Sequence, residues 1–172
     1  MPLPTAIRHL LASLQQGAIS AAAYDTAFGA RLRATDDPNA LAYPQTLGWL
    51  LRSQNTDGSF GSALSIPKDK LISTLSALVA LADLPQPLQD GAAHRARAKA
   101  LRFIYEDTGN WQTGPDLAGF ELILPALLDE ARARELPLPY ERFMGISAQR
   151  DAKIGHIPPR LIYNVATPLL HS

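Results

Sequence analysis

The chain has 172 residues, 47% of them hydrophobic, and its 16 basic side chains balance its 16 acidic ones. This length and composition predict one folded domain with its own core, and the zero net charge argues against a nucleic-acid partner. The absence of cysteine excludes disulfides and thiolate chemistry. No apolar run is long enough to cross a membrane, and the N-terminus lacks the pattern of a secretion signal. We therefore expect a cytoplasmic protein without a transmembrane segment.

Apolar residues recur at helical spacing along the chain, and no stretch alternates with a period of two for long enough to predict a strand. The strongest helix carries Leu71, Leu75, Leu78 and Val79 on one stripe. Many helices with short connections predict an all-α fold of paired helices, an α/α barrel or a bundle. In chain order, the expected helices are the segment ending at Gly17, Ala21 to about Arg33 capped by Ser20, the segment from Pro44, Asp69 to Leu84, Ala92 to Tyr105 as an outer helix, Leu117 to about Glu135, Tyr140 to Gln149, and the segment from Leu161.

The last of these helices begins shortly before the sequence stops at Ser172. It has neither a glycine after it nor a closing basic turn, which are the usual signals of a helix end. We therefore expect the sequence to be the N-terminal piece of a longer protein or one half of a split one.

Residues Gln54 to Gly61 form a segment rich in turn residues. Gly58 and Gly61 are expected to adopt positive φ, Asp57 to bond back to the backbone, and Phe60 to pack inward. A ligand contact is the alternative, but the composition favours a structural turn.

Two pairs of polar residues are candidate site residues. Tyr24 and Asp25 place an aromatic ring and a carboxylate on an otherwise apolar helix, where Asp25 either stabilises the helix start or supports a site. Asp116 and Glu121 lie around a helix start, where clustered carboxylates can hold Mg²⁺ against a diphosphate. Their alternative role, which we favour, is to stabilise the helix N-terminus.

The four histidines differ in their surroundings. His9 and His94 lie in amphipathic helices and are expected at the surface, and His156 lies in a basic loop that contains glycine. His171 follows two leucines on a predicted core-facing helix. A histidine there is either a satisfied core residue or a base that takes a proton from an apolar substrate, and spacing alone leaves both open.

Six segments, in this order and at this spacing, resemble the N-terminal part of class II diterpene cyclases, most of all copalyl diphosphate synthases of the ent type. The resemblance extends over nearly the whole chain, and its combination of motifs is specific although each motif alone is weak. The segments are Tyr24-Asp25-Thr26-Ala27, Pro44 through Leu51, Gln54 through Gly61, Asp69 through Leu78, Gly119 through Pro125, and Thr167 through Ser172.

The resemblance implies a helical γ domain, built as an α/α barrel and inserted into a β domain. Residues 1–17 would then be the N-terminal helix of the β domain, 18–158 the γ domain, and 159–172 the truncated start of the β domain. The active site of the family lies between γ and β.

The resemblance also implies the chemistry. The family protonates the terminal alkene of geranylgeranyl diphosphate with the middle acid of an Asp-x-Asp-Asp motif, which this sequence lacks. His171, in Leu170-His171-Ser172, matches the histidine thought to act through water as the terminal base. Mg²⁺ is the implied cofactor, although the acidic run expected before Gly-Phe-Glu is incomplete here. We expect Tyr24, Asp25, Asp116 and Glu121 to be substrate-binding residues, and we assign no metal ligand.

These observations predict part of a class II diterpene cyclase that makes a bicyclic, copalyl-type diphosphate and is inactive alone because the acid is absent. One alternative is a split-cyclase subunit that completes the site of a separate β-domain chain. Another is a non-catalytic helical binding module that docks on such a partner, and a related triterpene or hopene-type domain is a third. Uncovered terminal helices would favour self-association into a homo-oligomer.

Overall fold

The computed structural model describes residues 21–62, 66–106, 110–112 and 115–156. Within these ranges the only β pairing is an isolated bridge between Arg33 and Leu41, so the all-α prediction is confirmed. None of the helices in the described ranges is long and apolar enough to span a bilayer. The α-helices are α1 Ala23–Gly29, α2 Pro44–Arg52, α3 Pro67–Ala82, α4 Gly91–Glu106, α5 Phe120–Ala133 and α6 Ile146–Gly155, with 3₁₀ turns at Gln86–Leu88, Asn110–Gln112 and Tyr140–Phe143.

Helix α3 is the centre of the fold. Every residue from Leu71 to Leu81 is buried, including three with hydroxyl groups. Those hydroxyls are bonded, as buried polar groups must be. Thr74 donates to the Lys70 carbonyl and accepts from the Phe60 N–H, and Ser76 donates to the carbonyl of Tyr24. The helix can therefore be buried on all sides without leaving these groups unsatisfied.

Helices α1, α3 and α5 run in the same direction. Ser76 of α3 bonds to Tyr24 of α1, and seven residues further along both segments Asp83 pairs with Arg31. Lys68, in the first turn of α3, lies over the ring of Phe120 at the start of α5, whereas Asp83 and Arg134 pair at the other ends of these two helices.

Helices α2, α4 and α6 pack outside these three. Helix α4 buries one face, Ala93, Ala96, Ala100, Phe103 and Ile104, and exposes most of its basic residues, as an outer helix should. Helix α6 runs antiparallel to α5, since Arg150 pairs with Asp129 and Lys153 pairs with Glu121. Inner and outer helices thus alternate along the chain, which is the arrangement of an α/α barrel. Residues 1–17 and 159–172, assigned to a β domain, lie outside the described residues.

Two predicted helices were wrong in extent. The helix expected to reach Arg33 ends at Gly29, because the following residues form a tight loop in which Ala34 and Ala40 bond through their backbones. The helix expected from Tyr140 to Gln149 is a 3₁₀ turn followed by α6, separated by Gly145 at a φ of 100°. The N-cap position of α1 is Ala22, not Ser20, and no side chain caps it.

The turn from Gln54 to Gly61 has the predicted structural role. Asp57 accepts hydrogen bonds from the backbone and hydroxyl of Ser59, and Phe60 is fully buried. The amide of Gln54 donates to the carbonyls of Gly58 and Ala96, so this turn also attaches α2 to α4.

Candidate functional site

A cleft of about 970 Å³ lies at the N-terminal ends of α3 and α5, where α6 also approaches. Its charged lining residues are Lys68, Asp116, Glu121 and Lys153. The other described lining residues include the apolar Leu117, Phe120, Met144 and Ile146 and the polar Gln112 and Gln149. The cleft therefore places two lysine–carboxylate pairs beside an apolar region.

Lys68 is a largely buried cation in the first turn of α3, with 11% of its side chain exposed. Its ammonium donates a hydrogen bond of 2.7 Å to Asp116 and lies 5.6 Å from the centre of the Phe120 ring. The hydrogen bond and charge of Lys68 lower the pKa of Asp116, which is itself fully exposed. The pair is therefore unequal, with the lysine inside the protein and the carboxylate in water.

Glu121 and Lys153 form the second ion pair of the cleft, with 2.6 Å between their oxygen and nitrogen. The hydrogen bond from Lys153 is the main cause that lowers the pKa of Glu121. Glu121 lies in the first turn of α5 and Lys153 in the last turn of α6, where the helix dipoles favour their respective charges. This pair thus fixes α6 to the start of α5.

Tyr24 and Asp25 lie elsewhere in the described fold. Tyr24 is half-buried, its ring meets Phe28 edge-on at 5.1 Å, and burial, with the negative charges of Asp25 and Glu130, raises its pKa. Glu130 is nine residues beyond Glu121 on α5, about 13 Å along the helix axis. Neither Tyr24 nor the exposed Asp25 is among the described residues that line the cleft. The structure thus brings Asp116 and Glu121 together and separates them from the other two candidates.

The predicted base His171 and His9 lie outside the described residues. His94 on α4 is exposed, as predicted. His156, expected in a loop, is the C-cap of α6 and is also exposed. Sequence reasoning did not identify Lys68 and Lys153 as cleft residues. They are 85 positions apart in the sequence, and no local pattern brings them together, although a lysine beginning an otherwise buried helix was a usable signal for Lys68.

The described carboxylates do not fit a Mg²⁺ site. Mg²⁺ needs several oxygen ligands that are free to coordinate it, whereas Asp116 and Glu121 are each paired to a lysine. No group of three or more His, Asp or Glu residues that could hold a metal ion occurs in the described part of the chain. The Mg²⁺ expectation therefore stays a prediction.

Trp111 forms part of the cleft wall between two other aromatic rings. Its ring centre lies 5.6 Å from that of Phe120 and 6.1 Å from that of Phe143. The indole N–H is buried and has no hydrogen-bond partner among the described residues. Since Trp111 is one of two tryptophans in the chain, its fluorescence can report on binding in the cleft.

Comparison with known proteins finds relatives over almost the whole chain, although no family model matches it. The bifunctional levopimaradiene synthase of Pinus taeda is 34% identical over 99% of this chain, and copalyl diphosphate synthase 2 of Selaginella moellendorffii is 36% identical over 96%. These matches span 20% and 22% of the relatives. The structure of ent-copalyl diphosphate synthase from Arabidopsis thaliana matches 89% of this chain and 22% of its own, with a TM-score of 0.74 and 32% identity.

The chain spans about one fifth of the length of the curated relatives that it matches. The sequence comparison and the structural comparison both find copalyl diphosphate synthases. Over almost its whole length, this chain is therefore similar to one part of the diterpene cyclases represented by the copalyl diphosphate and levopimaradiene synthases.

Proposed function

We propose that this chain forms the γ-domain part of a class II diterpene cyclase and contributes the cleft at α3 and α5 to its active site. The substrate would be geranylgeranyl diphosphate and the product a bicyclic, copalyl-type diphosphate. The reaction is an isomerisation, because the proton added to the terminal alkene at the start is matched by the proton lost from the final cation. The observation that carries the proposal is the match to copalyl diphosphate synthases over 96% of the chain.

The lysines and the apolar side chains of the cleft support this proposal in different ways. Lys68 and Lys153 lie near the positive end of the α5 dipole, which favours the phosphate groups of a ligand. Leu117, Met144 and Ile146 offer apolar contact to the prenyl chain. Met144 is 83% exposed, so contact with a hydrocarbon ligand would remove apolar surface from water.

The catalytic acid must come from outside these 172 residues, because the printed sequence contains no Asp-x-Asp-Asp motif. We assign the terminal base to His171, since a base near one particular hydrogen suffices to remove a proton from a carbocation. Location stays a prediction as well, and the relative from Pinus taeda is named a chloroplastic enzyme.

The first test is a fluorescence titration of the chain with geranylgeranyl diphosphate, with geranylgeraniol as the ligand control. We expect the diphosphate to bind more tightly, and Lys68→Met, which keeps the buried stem and removes the charge, to abolish the difference. Tyr24→Phe tests whether the ligand binds near Tyr24, away from the cleft. Diphosphate binding that is weakened by Tyr24→Phe and not by Lys68→Met would contradict the cleft as the binding site. Equal binding of both ligands would contradict a diphosphate site.

The second test is product analysis for the chain alone and for the chain combined with a cyclase part that carries Asp-x-Asp-Asp. A bicyclic diphosphate only in the combination supports the proposed role, and a product from the chain alone would overturn an external acid. Ligand binding without product in either arrangement would favour the non-catalytic binding module.

His171 is tested in the complete, active enzyme. We expect His171→Ala to preserve the initial protonation and to divert the final cation to another product, such as a hydroxylated one. Without the base, water would add to the cation before the neighbouring proton is removed. Gas chromatography of the dephosphorylated products checks this, and an unchanged product profile would remove His171 as the base.

A further inference from the structure

The two ion pairs of the cleft differ in how easily they can open. Glu121 and Lys153 are both partly buried and both belong to helices. Asp116 is fully exposed and precedes α5 in a segment without helical structure, whereas its partner Lys68 is nearly buried in α3. Opening the Lys68–Asp116 pair therefore moves only a hydrated carboxylate and leaves the lysine in place.

A buried ammonium requires a negatively charged or polar partner, and losing that partner without a substitute is costly. Asp116 supplies the partner for Lys68 in the structure. Its own release costs little, since an exposed carboxylate is already solvated. An anion that enters the cleft can take the position of Asp116, and Lys68 then keeps a counter-ion throughout.

We propose that Asp116 is a displaceable counter-ion of Lys68, which occupies the lysine until the phosphate group of the ligand replaces it. This inference rests on the proposed function and refines it, because Asp116 then opposes diphosphate binding and does not bind the ligand. A singly charged carboxylate ligand competes with Asp116 on equal terms. A diphosphate carries more charge and displaces it, so the pair makes the cleft selective for polyanions.

The test uses inorganic pyrophosphate as the probe and the fluorescence of the full 172-residue chain as the signal. Asp116→Asn removes the competing charge at an exposed position, so we expect pyrophosphate to bind about threefold to fivefold more tightly. The same gain is expected with EDTA and with Mg²⁺. Asp36→Asn is the matched control, because Asp36 is exposed and lies outside the described lining of the cleft. It changes the net charge equally and should leave affinity unchanged.

Different results identify which proposal fails. Weaker pyrophosphate binding by Asp116→Asn, in Mg²⁺ or in EDTA, would overturn the inference and make Asp116 a ligand or metal-binding residue while the proposed cleft stands. Unchanged affinity would also overturn it. If wild type does not bind pyrophosphate, or if Lys68→Met binds it as well as wild type, the anion site of the proposed function fails. Asp116→Ser provides a second substitution, and circular dichroism confirms that each variant is folded.

Discussion

At the scale of single residues, Gly58 is the position where one added methyl group has the clearest cost. Its φ is 89°, and a Cβ there would lie 2.5 Å from the carbonyl oxygen of Lys99, which belongs to the backbone of α4. We expect Gly58→Ala to lower the free energy of unfolding by about 3 kcal/mol, since strain and steric overlap add. Gly145→Ala is the control, because Gly145 also has a positive φ, of 100°, but a Cβ there would have no described atom within 4 Å beyond its chain neighbours. Urea denaturation should show a loss of about 1 kcal/mol there, and equal losses would contradict the overlap.

Glu121 should make stability depend on pH. Its pKa is lowered in the folded state, so the pair with Lys153 stabilises the fold fully above the ordinary value of 4.5. The contribution is lost as the pH falls below 4.5 through the lowered pKa. We expect Glu121→Gln to be less stable than wild type by about 1 kcal/mol at neutral pH, and the difference to disappear in acid. Thermal unfolding at several pH values measures this, with the exposed Glu141→Gln as control. A difference that persists in acid would show that the charge is not its cause.

At the scale of the elements, α3 shows how burial exceeds what a periodic pattern predicts. The spacing of Leu71, Leu75, Leu78 and Val79 predicts one apolar helix face, and all four residues are buried as expected. The small residues between them are buried too, because helices pack on several sides of α3. Alanine, serine and threonine fit such a position, since they allow close approach and their hydroxyls bond to nearby backbone.

Leu78 tests this central role. It is fully buried, so Leu78→Ala should leave a cavity and lower the free energy of unfolding by about 3 kcal/mol. Leu32→Ala is the control, because Leu32 is 53% exposed, and its loss should stay within about 0.5 kcal/mol. Similar losses in chemical denaturation would contradict the placement of α3 at the centre.

At the scale of the whole molecule, one charged cluster joins the C-terminal ends of the three inner helices. Asp83, after α3, accepts two hydrogen bonds of 2.5 and 2.7 Å from Arg134, after α5. Arg31, after α1, pairs with both Asp83 and Glu130. Arginines at helix C-termini also interact favourably with the helix dipoles. The cleft lies at the opposite, N-terminal ends of α3 and α5. This cluster therefore holds together the helices that position the cleft residues.

Asp83→Asn tests the cluster. We expect it to lower the free energy of unfolding by about 2 kcal/mol, because two partly buried arginines lose their shared partner. Asp129→Asn is the control, since Asp129 is exposed and its pairs with Arg132 and Arg150 should contribute under about 1 kcal/mol. Urea denaturation in low and high salt distinguishes them. If Asp83→Asn lost as little stability as Asp129→Asn, and if salt reduced that loss, the cluster would not have its proposed structural role.

The helical class and most helix positions could be predicted from sequence, because they depend on local spacing, proline and glycine. Helix α4 was expected at Ala92 to Tyr105 and lies at Gly91–Glu106. The turn at Gly58 was also predictable, since its conformation requires glycine. Where a prediction was wrong, as at Arg33 and Gly145, a loop contact or a left-handed backbone ended a helix whose residues could have continued it.

Sequence alone therefore determined an all-α chain of paired helices, the family resemblance and two carboxylates of the candidate site. Tertiary structure decided that Asp116 and Glu121 share a cleft, that Tyr24 and Asp25 lie elsewhere, and that a lysine neutralises each cleft carboxylate. The physical reason is that local conformation depends on neighbours in the chain. The lowered pKa of Asp116, in contrast, depends on Lys68, which is 48 residues away in sequence and meets it only because α3 and α5 pack side by side.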